Sequence, residues 1–258
     1  PVHDEWRWTD ELQHFSDIDV DHTQKLGKKS EILLAAGRHQ NLGYRQNTEE
    51  LRYNGSAKWN YQINGKHNLT VSTNYEGGER ESSLLWRNQR QALEVAPEAI
   101  GDYIESQKYG ANMFHKWVAA KNFGVQTRVS YFYNYWKNWF HDNITSSTAQ
   151  KPGLEIQGDW QISENNSLIF GTEGTWDHVE SGLVGPHDQY VFGFYVQNER
   201  ALLKNLNFTF GLRYDNAWVD SGISDSELNP KVGLVWKAGE NVRLRASSGR
   251  GFRAPSMS

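Results

Sequence analysis

Three acidic residues, Asp17, Asp19 and Asp21, stand two apart near the start of the chain, which is how a calcium-binding loop opens. Such a loop needs glycine at its sixth position and a bidentate glutamate at its twelfth, where this sequence has His22 and Lys28. On a strand the same spacing puts three carboxylates on one solvated face, and the mismatches favour that reading. Gly249-x-Gly251-x-x-Ala254 follows a strand and matches a dinucleotide fingerprint. That fingerprint requires a helix to open next, and Pro255 opposes one, so the run reads as a strand exit with Ala254 held extended. The nine histidines show no metal-ligand spacing. His141-Asp142, Asp177-His178 and His187-Asp188 fall at long loops, where they could touch a metal chelate, although ordinary loop polarity accounts for such pairs more often. Trp86, Trp139 and Phe140 are loop-proximal aromatics. With His141 and His187 they form the candidate ligand-binding set at an outer mouth, against the plainer reading of strand-end packing. There is no Gly-x-Ser-x-Gly elbow and no phosphate-binding Gly-Lys-Ser/Thr run. Neither catalysis, a resident metal nor a cofactor is expected.

Composition narrows the class. The 258 residues carry a net charge of −4, which argues against a nucleic-acid partner. No cysteine is present, so there is neither a disulfide framework nor a thiolate metal site. Aromatic residues make up 13%, with 11 Trp, 12 Tyr and 11 Phe. Mean hydropathy is −0.76 and no apolar run is long enough for a membrane helix. A membrane β-barrel has the same low average, because lipid-facing and lumen-facing residues alternate. The chain opens on Pro1-Val2-His3-Asp4 without a leader or an initiating Met, and both ends read as internal to a longer protein.

The elements that must position these residues are strands. Val232, Leu234 and Trp236 alternate with Lys231, Gly233 and Val235. After a turn at Ala238–Asn241, Val242, Leu244 and Ala246 alternate with Arg243 and Arg245. Period two identifies a β-hairpin with one apolar face and one wet, arginine-bearing face. The pattern recurs along the chain. Ala57, Trp59 and Tyr61 lead through Asn64-Gly65, a strong hairpin signal, to Leu69, Val71 and Tyr75. Tyr109 to Trp117, Val125 to Tyr135, Leu154 to Ile162, Leu168 to Trp176, Tyr190 to Val196 and Leu206 to Trp218 follow suit. Trp6 to Leu12 has no clear pattern, and residues 92–100 hold at most a helical turn limited by Pro97. About twelve strands result, with short turns near 27–30, 64–66, 119–122, 164–166, 203–205 and 238–241. Longer polar loops fall near 41–47, 83–102, 141–152, 179–188 and 220–226.

Alternation alone does not say which face is inside. Long strands and the alternation of short turns with long loops favour an all-β, antiparallel up-and-down meander in a transmembrane β-barrel over a soluble sandwich. Trp59, Tyr75, Trp117, Trp160, Trp176, Trp218 and Trp236 then supply the two interfacial girdles. Arg128, Arg213, Arg243 and Arg245 face a lumen or a plug within it.

Gly193-Phe194-Tyr195-Val196-Gln197-Asn198-Glu199, Leu206–Asp215 (LNFTFGLRYD), Leu228–Trp236 (LNPKVGLVW) and Gly249–Ser256 (GRGFRAPS) resemble, in order and spacing, the middle of the barrel of TonB-dependent outer-membrane receptors. The signature positions are Asn229, Pro230, Gly249, Gly251, Phe252, Arg253, Ala254 and Pro255. The resemblance is specific over about residues 189–258; upstream it rests on the strand and turn pattern. It implies that residues 1–258 are part of a barrel of about 22 strands in a bacterial outer membrane. The plug domain and the C-terminal strands would lie outside this sequence. It also implies uptake of a scarce nutrient (a ferric siderophore, haem or cobalamin) at the outer loops, energised through TonB, with membrane lipid and the plug as the other partners. The competing readings are a soluble or surface carbohydrate-binding β-sheet module and a passive porin-like barrel.

Overall fold

The computed structural model describes residues 15–141, 143–220, 222 and 224–251. Its first strands are β1 (Phe15–Lys25), β2 (Ser30–Asn41), β3 (Glu50–Gln62) and β4 (His67–Glu81). A small hairpin follows, β5 (Trp86–Asn88) with β6 (Gln91–Val95), then β7 (Tyr103–Ala120), β8 (Phe123–Phe140), β9 (Asn143–Ser163) and β10 (Asn166–Ser181). The last are β11 (Gly185–Leu203), β12 (Leu206–Val219), β13 (Ser224–Lys237) and β14 (Arg243–Gly249). All but β5 and β6 form one 12-stranded sheet, each strand antiparallel to its chain neighbours in the sheet. β1 and β14 are its two edges, so the sheet is open. No described helix is long and apolar enough to cross a membrane.

The register makes the two faces continuous. Val71 pairs with Met113, Met113 with Val129 and Val129 with Leu154, so one face is an apolar belt. Its large residues remain exposed, among them Phe194 at 50% and Leu154 at 49%, and no second layer covers them. At one end of the belt stand Trp59, Trp117, Trp160 and Trp236. At the other, Tyr75, Tyr109 and Tyr133 form a cross-strand row (centroids 4.9 and 5.8 Å), continued by the stacked pair Trp176 and Tyr190 and by Trp218. Leu168 to Trp176, from near one row to the other, spans nine residues of β10. A tilted strand needs about 9–11 to cross a bilayer. The opposite face is polar and is the side toward which the sheet curls. Gln189, Asp215, Ala217 and Asn229 lie on it and are nearly fully buried.

The loop expectations need correction at one end. Residues 141–152, 179–188 and 220–226 read as loops, yet the connections shrink to 141–142, 182–184 and 220–223. Polar residues here still pair their backbones, as in Tyr135 with Thr148 and Ser147 with Ser181, because above the belt only the ladder, not burial, sets the element. The strands therefore continue past the aromatic row as hairpins. Pro152 sits inside β9 without stopping it. The ladder to β8 is kept at Tyr131, while the ladder to β10 skips from Gly153 to Gln150, where proline has no N–H to give. The 92–100 segment holds only a 3-10 turn, Pro97–Ala99. Trp6 to Leu12 lies outside the described residues.

Candidate functional site

The polar wall is densest across β8 to β13. Arg213 donates from Nε to Asp215 Oδ1 (2.8 Å), pairs with Glu173 on β10, and lies 5.8 Å from the centre of the Tyr195 ring on β11. The Tyr195 hydroxyl is 3.0 Å from both Glu155 Oε1 and Gln157 Oε1. Arg128 completes the chain of contacts through Glu155 (3.3 Å). Lys151 pairs with Asp177 (2.8 Å), and Arg250 with Glu227. Arg128, Arg213 and Arg250 of this patch thus each have a carboxylate partner. The sheet makes room for the network with glycine. A methyl group at Gly193 would come within 2.7 Å of Arg213 Nη2, and one at Gly171 within 2.5 Å of the Tyr195 ring.

Two of the expected signature positions, Asn229 and Pro230, lie on β13. Asn229 is buried and donates from Nδ2 to Asp215 Oδ2 (3.2 Å), extending the Arg213 network to β13. Pro230 stands where the ladder to β14 ends: Lys231 pairs with Gly249, and the last bond runs from Arg250 N–H to the Pro230 carbonyl (3.0 Å). Pro230 needs no donor there. Gly251 follows as coil. Phe252, Arg253, Ala254 and Pro255 lie outside the described residues. Arg243 and Arg245 share the inner phase on the edge strand β14, exposed. Asp17, Asp19 and Asp21 share the inner phase of β1, where Asp17 pairs with His39. No metal-holding group of acids and histidines occurs among the described residues.

At the mouth, the five expected ligand residues do not converge. Trp86 is on the β5–β6 hairpin, 57% exposed beside the equally open Leu84 and Leu85. Trp139 is not in a loop. It is in β8 with the outward phase, stacked on Tyr103 (5.4 Å) and capped by the Lys137 ammonium at 3.8 Å. Phe140 has the inward phase, opposite Asn143. His141 takes a positive φ of 48° in the connection, and its N–H donates to Asp102 Oδ1 (2.7 Å). Asp142 lies outside the described residues. His187 has the inward phase in β11, within 3.0 Å of the Val184 carbonyl.

Two inward aromatics were missed, Phe132 and Trp136, at 42% and 40% exposure. Their even numbering in β8 would have revealed them, since Arg128 and Ser130 share it. Trp136 stands between Ser106 and Ser147, small neighbours that leave its face open, beyond the outer aromatic row. Also unread was Asn47, buried at a positive φ of 60°. Its Nδ2 lies 2.9–3.0 Å from the carbonyls of Ser82, Ala99 and Asp102, and its Oδ1 accepts from Gly101 N–H (3.0 Å). Gln46 adds N–H to the Leu93 carbonyl (3.0 Å) and accepts from Val95 N–H (3.1 Å). These bonds fix the 82–102 connection against the 42–49 connection. On the outer surface just beyond Trp176, the Asp188 carboxyl is held below its ordinary value by the Trp176 indole N–H (2.6 Å) and then by His178 (2.9 Å).

An open meander with a lipid-facing belt, two aromatic rows and a polar, ion-paired inner patch is the wall of a large outer-membrane β-barrel. The family described as TonB dependent receptor-like, beta-barrel, matches residues 9–258, and the chain belongs to it. It is an outer-membrane protein segment. Among solved structures, the FrpB iron transporter from Neisseria meningitidis superposes with a TM-score of 0.78 at 14% identity, over 91% of this chain and 44% of that one. The ferric-catecholate import receptor Fiu from E. coli K12 gives 0.76 at 10% identity, over 92% and 52%. The siderophore receptor PirA from Pseudomonas aeruginosa gives 0.77 at 12%, over 94% and 40%. At these identities the likeness is one of fold. The chain spans about half or less of the length of these receptors. No curated protein sequence matches it.

Proposed function

We propose that the parent protein is an active importer of a ferric chelate, with this chain as over half of its barrel wall. A plug domain would seat against the Arg213 face, and TonB would supply the energy. The observation that supports the reading is the family match across nearly the whole chain, joined to an inner patch whose arginines Arg128, Arg213 and Arg250 are each paired with a carboxylate. Such a wall offers packing to a plug rather than an ion-selective ring of one sign. The solved structures of like fold are named as an iron transporter, a ferric-catecholate import receptor and a siderophore receptor, which favours iron over cobalamin. The inward aromatics Phe132 and Trp136 supply flat apolar surface for a chelate's organic shell, with no catalytic step required of the wall.

A deletion strain grown on ferric citrate, a ferric catecholate, haem or cobalamin as the limiting nutrient tests this. Loss of growth on one ferric chelate, equal to that of a strain lacking TonB, is the expected result. Trp136→Ala in the full-length receptor should weaken binding of that chelate about tenfold, a loss typical of one buried aromatic contact. Trp139→Ala should leave it unchanged. Steady ion conductance by the purified full-length protein, with growth indifferent to TonB, would establish a passive pore instead.

A further inference from the structure

Four of the six connections at the end marked by Trp59, Trp117, Trp160 and Trp236 carry lysine, a feature that transport does not use; the other two carry Glu164 and Glu240 instead. Lys28 and Lys29 lie between β1 and β2, Lys66 between β3 and β4, Lys121 between β7 and β8, and Lys204 between β11 and β12. All are exposed. Among the described residues none of these lysines is in an ion pair; the Lys29 ammonium reaches the Ile63 carbonyl (3.4 Å). The opposite rim differs. Its connections, 42–49, 82–102, 141–142, 182–184 and 220–223, contain no lysine at all, and Arg87 there is paired with Glu94.

The lysines also lie one or two residues beyond the belt. Lys66 precedes His67, which pairs with Trp117 and stacks on it at 5.8 Å. Lys121 lies two residues before Phe123, which pairs with Trp160. Lys204 lies two before Leu206, which pairs with Trp236. Lys29 precedes Ser30, whose hydroxyl accepts from the Trp59 indole (2.7 Å). Indole rings sit at the level where acyl chains give way to headgroups, so an ammonium one register step further out is at the level of phosphate. Neighbouring asparagines brace the turns without using the ammonium groups: Asn64 Oδ1 accepts from Lys66 N–H (2.8 Å), and Asn122 and Asn205 donate to Gln161 and Lys237 carbonyls.

We propose that this rim is a docking surface for anionic phospholipid headgroups of the periplasmic leaflet. It would anchor the barrel's depth and tilt by paired indole and ammonium contacts around its circumference. Position selects the occupant. The lysines are spread along the aromatic row over four separate connections instead of gathering in one patch, which suits separate phosphodiesters and not the compact footprint of a protein.

Native mass spectrometry of the full-length receptor in detergent tests the idea, with phosphatidylglycerol and phosphatidylethanolamine of identical acyl chains as probes. Wild type should retain phosphatidylglycerol preferentially. Lys28→Gln/Lys66→Gln/Lys121→Gln/Lys204→Gln should lower that retention by about fivefold or more, since each cation near an anionic surface contributes roughly such a factor. Phosphatidylethanolamine should not change. Arg87→Gln/Arg90→Gln at the opposite rim should do nothing. Heat-modifiable migration on gels verifies folding, and the milder pair Lys121→Gln/Lys204→Gln should give a partial loss. Undiminished phosphatidylglycerol retention in the folded quadruple variant overturns the proposal. So does equal loss of both lipids, or full displacement by excess inorganic phosphate, which would mean a site for free anions. Loss of an acidic periplasmic protein from proteoliposomes while lipid retention stays intact would reassign the rim to a protein partner.

Discussion

Arg213 and Asn47 are both hubs, and they solve opposite problems. Arg213 is on a strand whose backbone groups are already paired on both sides. Its side chain therefore spends its donors on other side chains, Glu173 and Asp215. Asn47 is in a connection whose carbonyls have no ladder, and its side chain bonds only backbone: Ser82, Ala99, Asp102 and Gly101. The difference follows from where backbone polarity is satisfied. In the wall the fold comes first and the network decorates it. At the mouth the network makes the fold, since the buried apolar cluster there is only Val95, Ala96 and Ala99.

If that contrast is right, the wall should fail by crowding and the mouth by loss of bonds. Gly193→Val gives the largest effect. The added carbons meet Arg213 Nη2 and Asp215 Oδ1, at 2.7 and 3.1 Å even for a single methyl. Overpacking of that kind costs about 1–3 kcal/mol, and displacing Arg213 from its carboxylates adds to it. Urea unfolding of the full-length receptor in detergent should show a lower midpoint, with Gly193→Ala intermediate. An unchanged midpoint for the valine variant would mean that the Arg213 network moves aside freely and is not a fixed part of the wall.

Asn47→Ala comes next and should act locally. Three donor contacts and one acceptor contact are lost, about 2–4 kcal/mol at 0.5–1.5 each if most of them count. The positive φ adds about 1 kcal/mol of strain for alanine. Limited proteolysis should cut within 83–101 far faster, while the urea midpoint of the barrel stays put. Asn47→Gly keeps the backbone easy but not the bonds, so it separates the two contributions. A drop in the barrel midpoint as large as that of Gly193→Val would erase the distinction between the two hubs.

The same contrast explains what the sequence could show. Strand phases were legible from Ala57-Trp59-Tyr61 or Leu206 to Trp218 because a belt facing lipid and a wall facing water leave a period of two. The placement of Arg128 and Arg213 on the inner wall followed from it. The mouth was not legible. Strand pairing there continues through Ser146, Ser147 and Thr148, which carry no apolar alternation, so the chain reads as loop. Trp139 was chosen for lying near a loop, when its odd position in β8 turns it outward and the even Trp136 inward. Asn47 left no mark in the pattern at all, because its partners lie 35 to 55 residues away and are backbone atoms that every residue has.

The smallest effect is expected from acid, and it separates the regions by titration. Asn47 does not titrate. Asp188, on the outer surface beyond Trp176, does. Hydrogen bonds from the Trp176 indole and from His178 favour its charged form, so its folded pKa lies below the ordinary 3.8. Folding thus gains from the ionised carboxylate at neutral pH. That gain persists above the unfolded value and is lost as pH falls through the lower folded one. Hydrogen exchange around the 182–184 connection should therefore quicken below about pH 4, near the ordinary range of an aspartate. Asp188→Asn should be faster than wild type at neutral pH and lose the acid dependence. The group is exposed, so the change is confined to this hairpin, and the bonds of Asn47 should stay protected across the same range. Simultaneous loosening of both sites in acid would show that the mouth opens as one unit.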